Sequence, residues 1–180
     1  YAPDWRDPAR VGYTLDLIRI LAALLPAGID GGVSTAPLSY KPWLAVADDR
    51  SWEPMIRHVV QVAEALIRLR QETGALVHLD IEPEPDCTIE NTVETLDFFE
   101  RHLLSSGAAL LARSLGVWQD RGRELLLDHI RLCFDCCHFA VEFEHPREAM
   151  DRIRAAGIKI GRIQLSSALD VAVPGDPASA

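Results

Sequence analysis

The chain has 180 residues, of which 48% are hydrophobic and 25% charged, the balance of an ordinary globular domain rather than of a disordered or fibrous chain. Its net charge of −9 argues against a nucleic-acid partner, which needs clustered Lys and Arg, and points instead to a small-molecule metabolite. No run approaches the roughly 20 apolar residues that span a bilayer, and the N-terminus lacks a basic, apolar, small-residue signal pattern, so no membrane span and a cytoplasmic location are expected.

In chain order, Thr14 to Leu25 carries Leu15, Ile18, Leu21, Ala22 and Leu25 at helical spacing, with Thr14 as the expected cap and Pro26 and Gly28 as the stop. Gly31 to Pro37 reads as a short strand entering a loop with Tyr40, Lys41 and Trp43. Ser51 is the expected cap of a long helix with Pro54 in its first turn. Its stripe of Ile56, Val59, Val60, Ala63, Leu66 and Ile67 faces a core and ends before Gly74. A strand from Leu76 to Glu82 follows, ended by Pro83 and Pro85. Thr88 is expected to open a helix that buries Val93, Leu96, Phe99, Leu103, Leu110 and Leu111. A third strand runs from about Ile130 to Asp135, Pro146 starts a short helix that ends at Gly157, and Ile160 to Ser166 forms a fourth strand.

Alternating helices and strands call for an α/β fold with parallel strands and right-handed crossovers. A period of two places Val77, Leu79 and Ile81 on one face of the second strand and His78, Asp80 and Glu82 on the other. Leu132 and Phe134 oppose Arg131, Cys133 and Asp135 in the same way, and Ile163 and Leu165 oppose Arg162, Gln164 and Ser166. An outer ring of helices would cover the greasy face, and the polar side chains would line a barrel interior. An open doubly wound sheet remains the alternative. Four visible strands, against eight in a closed (β/α)8 barrel, give the expectation of a partial TIM barrel. Residues 1–169 would be the central part of one domain truncated at both ends, and residues 170–180 a loop or tail. Exposed strand edges would then favour self-association.

Chemistry in such folds gathers where strands end. Glu82, Asp135 and His138 are therefore the leading site candidates, and a divalent metal would suit them. Asp135 and His138 form a DxxH unit across a strand end and the following loop. Glu84 is the candidate if the register slips. Gln164 and Ser166 extend the polar face toward a hydroxylated ligand, and Lys41 could reach a phosphate or carboxylate. Cys133 and Cys136 have half of a zinc-knuckle spacing, but no second Cys or His pair follows, so Cys133 is expected to pack and the thiols to stay reduced.

The segments STAPLSYK, HLDIEPEPDCTIENT, CFDCCHFAVEFE and KIGRIQLSSAL resemble the sugar phosphate isomerase and epimerase group of xylose isomerase-like TIM barrels, and more narrowly its Ebo-type metabolite traffic proteins. The resemblance covers about Tyr1 to Leu169. It implies a divalent ion (Mn, Mg, Co or Zn) with Glu82 as the first ligand and Asp135 as the second, and with His138 as the substrate-side histidine. Gln164 departs from the pattern, standing where sugar epimerases place a metal-binding His.

Two functions follow as expectations. The first is a metal-dependent isomerase or epimerase acting on a sugar, sugar phosphate or polyol. In it Glu82 and His138 are catalytic, Glu82 and Asp135 hold the metal, and His138, Gln164 and Lys41 contact substrate. The second is a noncatalytic Ebo-type protein that binds or escorts a metabolite, having lost full metal coordination.

Overall fold

The structure is a computed structural model that describes residues 2–44 and 49–171. Four strands, β1 (Gly31–Thr35), β2 (Val77–Ile81), β3 (Ile130–Asp135) and β4 (Ile160–Gln164), form one parallel sheet in the order β1-β2-β3-β4. Helices α1 (Pro8–Leu24), α2 (Asp49–Thr73), α4 (Ala108–Leu115), α5 (Gln119–His129) and α7 (Pro146–Ala155) flank it, with short helices α3 (Thr92–Asp97) and α6 (Cys136–Val141). The sheet curls into a half-barrel. Arg162 of β4 reaches across to donate to the Gly32 carbonyl of β1 at 2.8 Å. No described helix is long and apolar enough to cross a membrane.

The helix-facing side is the core. Val77, Leu79 and Ile81 are fully buried against Val59, Val60, Ala63 and Leu66 of α2, as the sequence periodicity predicts. Each such side chain contributes about 1.5–3 kcal/mol through removal from water. The opposite face of β2 is also covered: His78 and Asp80 are buried inside the curl, so all five β2 residues are inaccessible. At β4 the expectation fails, since Ile163 and Leu165 are exposed. β4 is an edge strand, and no described element follows it to cover that side.

Helix boundaries move where local capping overrides apolar spacing. Asp7, not Thr14, caps α1 by accepting from the Ala9 N–H at 2.8 Å, with Pro8 at the first helical position. Thr14 is buried mid-helix. α2 begins before Ser51, which is therefore a helical residue, and Pro54 sits inside the helix. Asn91, not Thr88, caps α3 by accepting from the Glu94 N–H at 3.1 Å, while Glu94 Oε2 accepts from the Glu90 N–H at 2.8 Å. That start turns Thr92 and Thr95 inward and leaves Val93 exposed. Both threonine hydroxyls are satisfied, Thr92 by Glu144 at 2.6 Å and Thr95 by the Asn91 carbonyl at 2.8 Å. A π-helical stretch, Phe98–Gly107, joins α3 to α4 and shifts the phase of the buried face to Phe98, Phe99, Leu103, Leu104, Ala108 and Leu111. The sequence reading does not contain α5. This helix buries Leu125 and Leu126 in the core and approaches α4 closely at Gly122, where a Cβ would lie 2.8 Å from the Ala108 carbonyl oxygen.

Inside the curl, His78 Nδ1 lies 2.6 Å from Asp80 Oδ1, and Asp80 Oδ2 is buried without a partner among the described residues. The carboxylate fits because its neighbours on β1 and β4 lack side chains. A Cβ on Gly32 would come within 2.1 Å of Asp80 Oδ2, and one on Gly161 within 2.0 Å of Oδ1. Gly32→Ala or Gly161→Ala is therefore expected to lower stability by about 1–3 kcal/mol. Chemical denaturation of the G32A/D80A double variant should show a loss smaller than the sum of the two single losses.

His129 is buried at the end of α5, with Nδ1 bonded to the Leu125 carbonyl at 2.9 Å and Nε2 without a partner among the described residues. Burial pushes its pKa below the ordinary value, outweighing that hydrogen bond. A depressed folded-state pKa makes the unfolded chain the better proton acceptor. Stability is then fully present above the unfolded pKa of about 6.5 and is lost as pH falls toward the folded value. The urea midpoint should drop between about pH 7.5 and about pH 5.5, and His129→Gln should flatten that dependence.

Candidate functional site at the strand ends

Parallel pairing turns the carboxyl ends of all four strands the same way, and the register sets Asp135 of β3 beside Gln164 of β4. Glu82 follows β2 directly and is anchored by its N–H to the Thr35 carbonyl at 3.0 Å. Its side chain turns inward. Ser34 of β1 donates to Glu82 Oε2 at 2.6 Å, and Gln164 Nε2 donates to Oε1 at 2.6 Å. The same Gln164 nitrogen lies 3.1 Å from Asp135 Oδ2. One amide group thus joins the carboxylates of two neighbouring strands.

Asp135 is the N-cap of α6, so the residues after β3 form a helical turn rather than the expected loop. Its Oδ1 accepts from the Cys137 N–H at 3.1 Å and from the Ser166 hydroxyl. Burial alone would raise its pKa, but these bonds and the neighbouring His138 outweigh burial and hold the carboxyl below its usual range. The helical turn aims His138 back over the strand ends. His138 Nδ1 is 2.9 Å from the Pro83 carbonyl oxygen and 3.9 Å from Glu82 Oε1, and Nε2 is 3.8 Å from Asp135 Oδ2. A carbonyl cannot donate, so Nδ1 carries a proton, and Nε2 is the ring nitrogen that faces the Asp135 carboxylate.

Glu82, Asp135, His138 and Gln164 therefore converge in one half-buried polar cluster at the strand ends. Glu84 adjoins it, and a donor atom from each of Glu82, Glu84 and His138 falls within 4.8 Å of the others. Lys41 does not join them. It is held between Glu90 and Glu94, the latter at 2.7 Å, and these bonds outweigh the effect of burial and raise its pKa above the ordinary value. With its ammonium committed to two carboxylates of the α3 start, Lys41 serves that turn rather than the pocket. Cys133 lies on the polar face, 3.5 Å from Gln164 Nε2, and burial pushes its thiol up to about 12, so it stays protonated and inert. Two residues of the site escape the sequence reading. Ser34 is legible only through its two-residue spacing from Gly32 on the inward face of β1, and Cys137 only once Asp135 is known to start a helix.

No family model matches this sequence, and no curated protein matches it. Among solved structures it is similar to the apo form of the 3-keto-D-glucoside 4-epimerase YcjR from E. coli, at 14% identity and a TM-score of 0.40, with 89% of this chain covered. The chain spans 64% of that protein's length. The chemistry of the pocket accordingly rests on its own residues.

Removing the amide that Glu82 and Asp135 share takes away the donor between the two carboxylates and leaves each only its separate partners. Gln164→Leu should cost about 1–3 kcal/mol at neutral pH. Equilibrium denaturation of both proteins at neutral pH measures it.

Proposed function

We propose that this chain carries the site of a xylose isomerase-like barrel protein of the sugar phosphate isomerase and epimerase kind, handling a small sugar, sugar phosphate or polyol with a divalent metal. The observation that carries the reading is the facing of His138 Nε2 and Asp135 Oδ2 across 3.8 Å, with Glu82 beside them, at the carboxyl ends of parallel strands. The donor set of two carboxylates and one neutral imidazole fits a Mn²⁺, Co²⁺ or Zn²⁺ ion, and Mg²⁺ through its oxygens. Glu82 and Asp135 would hold the ion, which when bound polarises a substrate carbonyl and acidifies the adjacent C–H.

The protein's own groups do the rest. Glu82, fixed on both oxygens by Ser34 and Gln164, would take a proton from carbon and return it. His138, its ring fixed by Pro83, would present Nε2 to a substrate hydroxyl or to the ion. Gln164 presents its amide to the same space.

A second reading has its own support. Gln164 Nε2 stands between the two carboxylates, where a cation would otherwise compensate them. A site whose carboxylates are bridged by an amide donor in this way can bind a metabolite without metal or turnover, as an escort protein of the Ebo type requires.

The deciding experiment incubates the protein, stripped of metal and then loaded with Mn²⁺ or Co²⁺, with a panel of aldoses, ketoses and their phosphates in deuterated water. Metal-dependent deuterium uptake at the carbon beside the carbonyl is expected, reduced by about 10²–10⁴-fold in Glu82→Gln. Calorimetric binding of a sugar without metal and without exchange would establish the escort reading instead, and Gln164→His would then be expected to create metal affinity.

A further inference from the structure

We infer that Cys137 is a metal ligand, and that it makes this pocket a thiophilic site, selecting Zn²⁺ or Co²⁺ over Mg²⁺. The inference rests on the metal-binding reading above and adds to it a residue outside the carboxylate set. One donor atom from each of Asp135, Cys137 and His138 lies within 4.8 Å of the other two. The Pro83 carbonyl holds the Nδ1 proton of His138, so Nε2 is the ring nitrogen turned toward Asp135 Oδ2, at 3.8 Å. Tetrahedral sites with metal–ligand lengths near 2.0–2.3 Å hold their ligand atoms roughly 3.3–3.7 Å apart, so small side-chain rotations close this group on an ion.

Local geometry also presents the thiol. The Cys137 N–H is fixed on Ser166 Oγ at 2.9 Å and on Asp135 Oδ1 at 3.1 Å, which locks the backbone from which the side chain departs. Cys137 is half-buried, whereas Cys87 and Cys133 are buried. The ligand set therefore departs from the Cys133 and Cys136 pairing that the CxxC spacing brings to mind, because Cys133 is committed to the interior of the curl. Binding replaces the S–H bond of Cys137 with a metal–thiolate bond and releases one proton to solvent. Soft thiolate beside imidazole and carboxylate is a donor set that Zn²⁺ and Co²⁺ favour and Mg²⁺ does not.

The test is a titration of the whole 180-residue chain with Co²⁺, followed by absorbance, for the wild type and the variants Cys137→Ser, Cys136→Ser and Cys133→Ser. Wild type should develop visible cobalt bands together with a near-ultraviolet thiolate-to-cobalt charge-transfer band. Cys137→Ser should lose the charge-transfer band, keep weaker visible bands and bind Zn²⁺ at least about tenfold less tightly, with the other two variants unchanged. Zn²⁺ should also slow alkylation of Cys137, read by mass spectrometry, and leave Cys136 unaffected, a readout independent of variant folding. Visible cobalt bands without the charge-transfer band in the wild type would overturn the assignment of Cys137 and leave the metal reading standing. Failure of Co²⁺ and Zn²⁺ to bind at all would overturn both.

Discussion

Two carboxylates cannot sit side by side in a half-buried pocket without a donor between them, and here the donor is the side-chain nitrogen of Gln164, shared by Glu82 and Asp135. Around this nitrogen the strand ends are tied together. β1 contributes through Ser34, β2 through Glu82, β3 through Asp135 and β4 through Gln164 itself. The polar interior of the curl therefore links the same four strands that the apolar core holds from the helix side. The two faces of the sheet are held by different physics, dispersion and water exclusion outside, and charge-assisted hydrogen bonds inside.

The interior also shows how close packing accommodates charge. Asp80 lies one layer below Glu82 on the same face of β2, buried beside His78, and its space exists because Gly32 and Gly161 flank it. The irregular register between β3 and β4 at Leu132 and Cys133 pairs Cys133 with Arg162 and leaves Gly161 as the extra residue. Beyond that irregularity, Asp135 and Gln164 come into register. A glycine at the bulge thus serves the buried carboxylate below and the alignment of the pocket above.

The strand faces were legible because a period of two is insensitive to errors in the ends of elements. His78, Asp80 and Glu82 share a face wherever β2 is taken to begin, and Asp135 and Gln164 fall on the same inward face by the same rule. Helix starts were less legible, because Asp7 and Asn91 cap through their side chains at positions that apolar spacing does not mark. Val93 is exposed for that reason, and the π-helical turns from Phe98 shift the later stripe by a rotation that no regular period anticipates. α5 approaches α4 closely at Gly122, a residue that ordinarily argues against a helix interior. Lys41 was placed near ligand from its loop position, yet Glu90 and Glu94, half a hundred residues away in the chain, claim its ammonium. The turn that swings His138 over the pocket depends on Asp135 acting as a cap, which makes one residue both a helix signal and a site residue.

The pocket as described has a signature in stability alone, independent of ligand or substrate. Glu82 and Asp135 share one amide nitrogen, so neutralising either should relieve the other. A double-mutant cycle with Glu82→Gln and Asp135→Asn, read by equilibrium denaturation at neutral pH, measures this directly. A coupling of about 0.5–3 kcal/mol between the two sites is the result expected of side chains in one network. Additivity within about 0.3 kcal/mol would mean that the two carboxylates do not meet, and would contradict the site at its root.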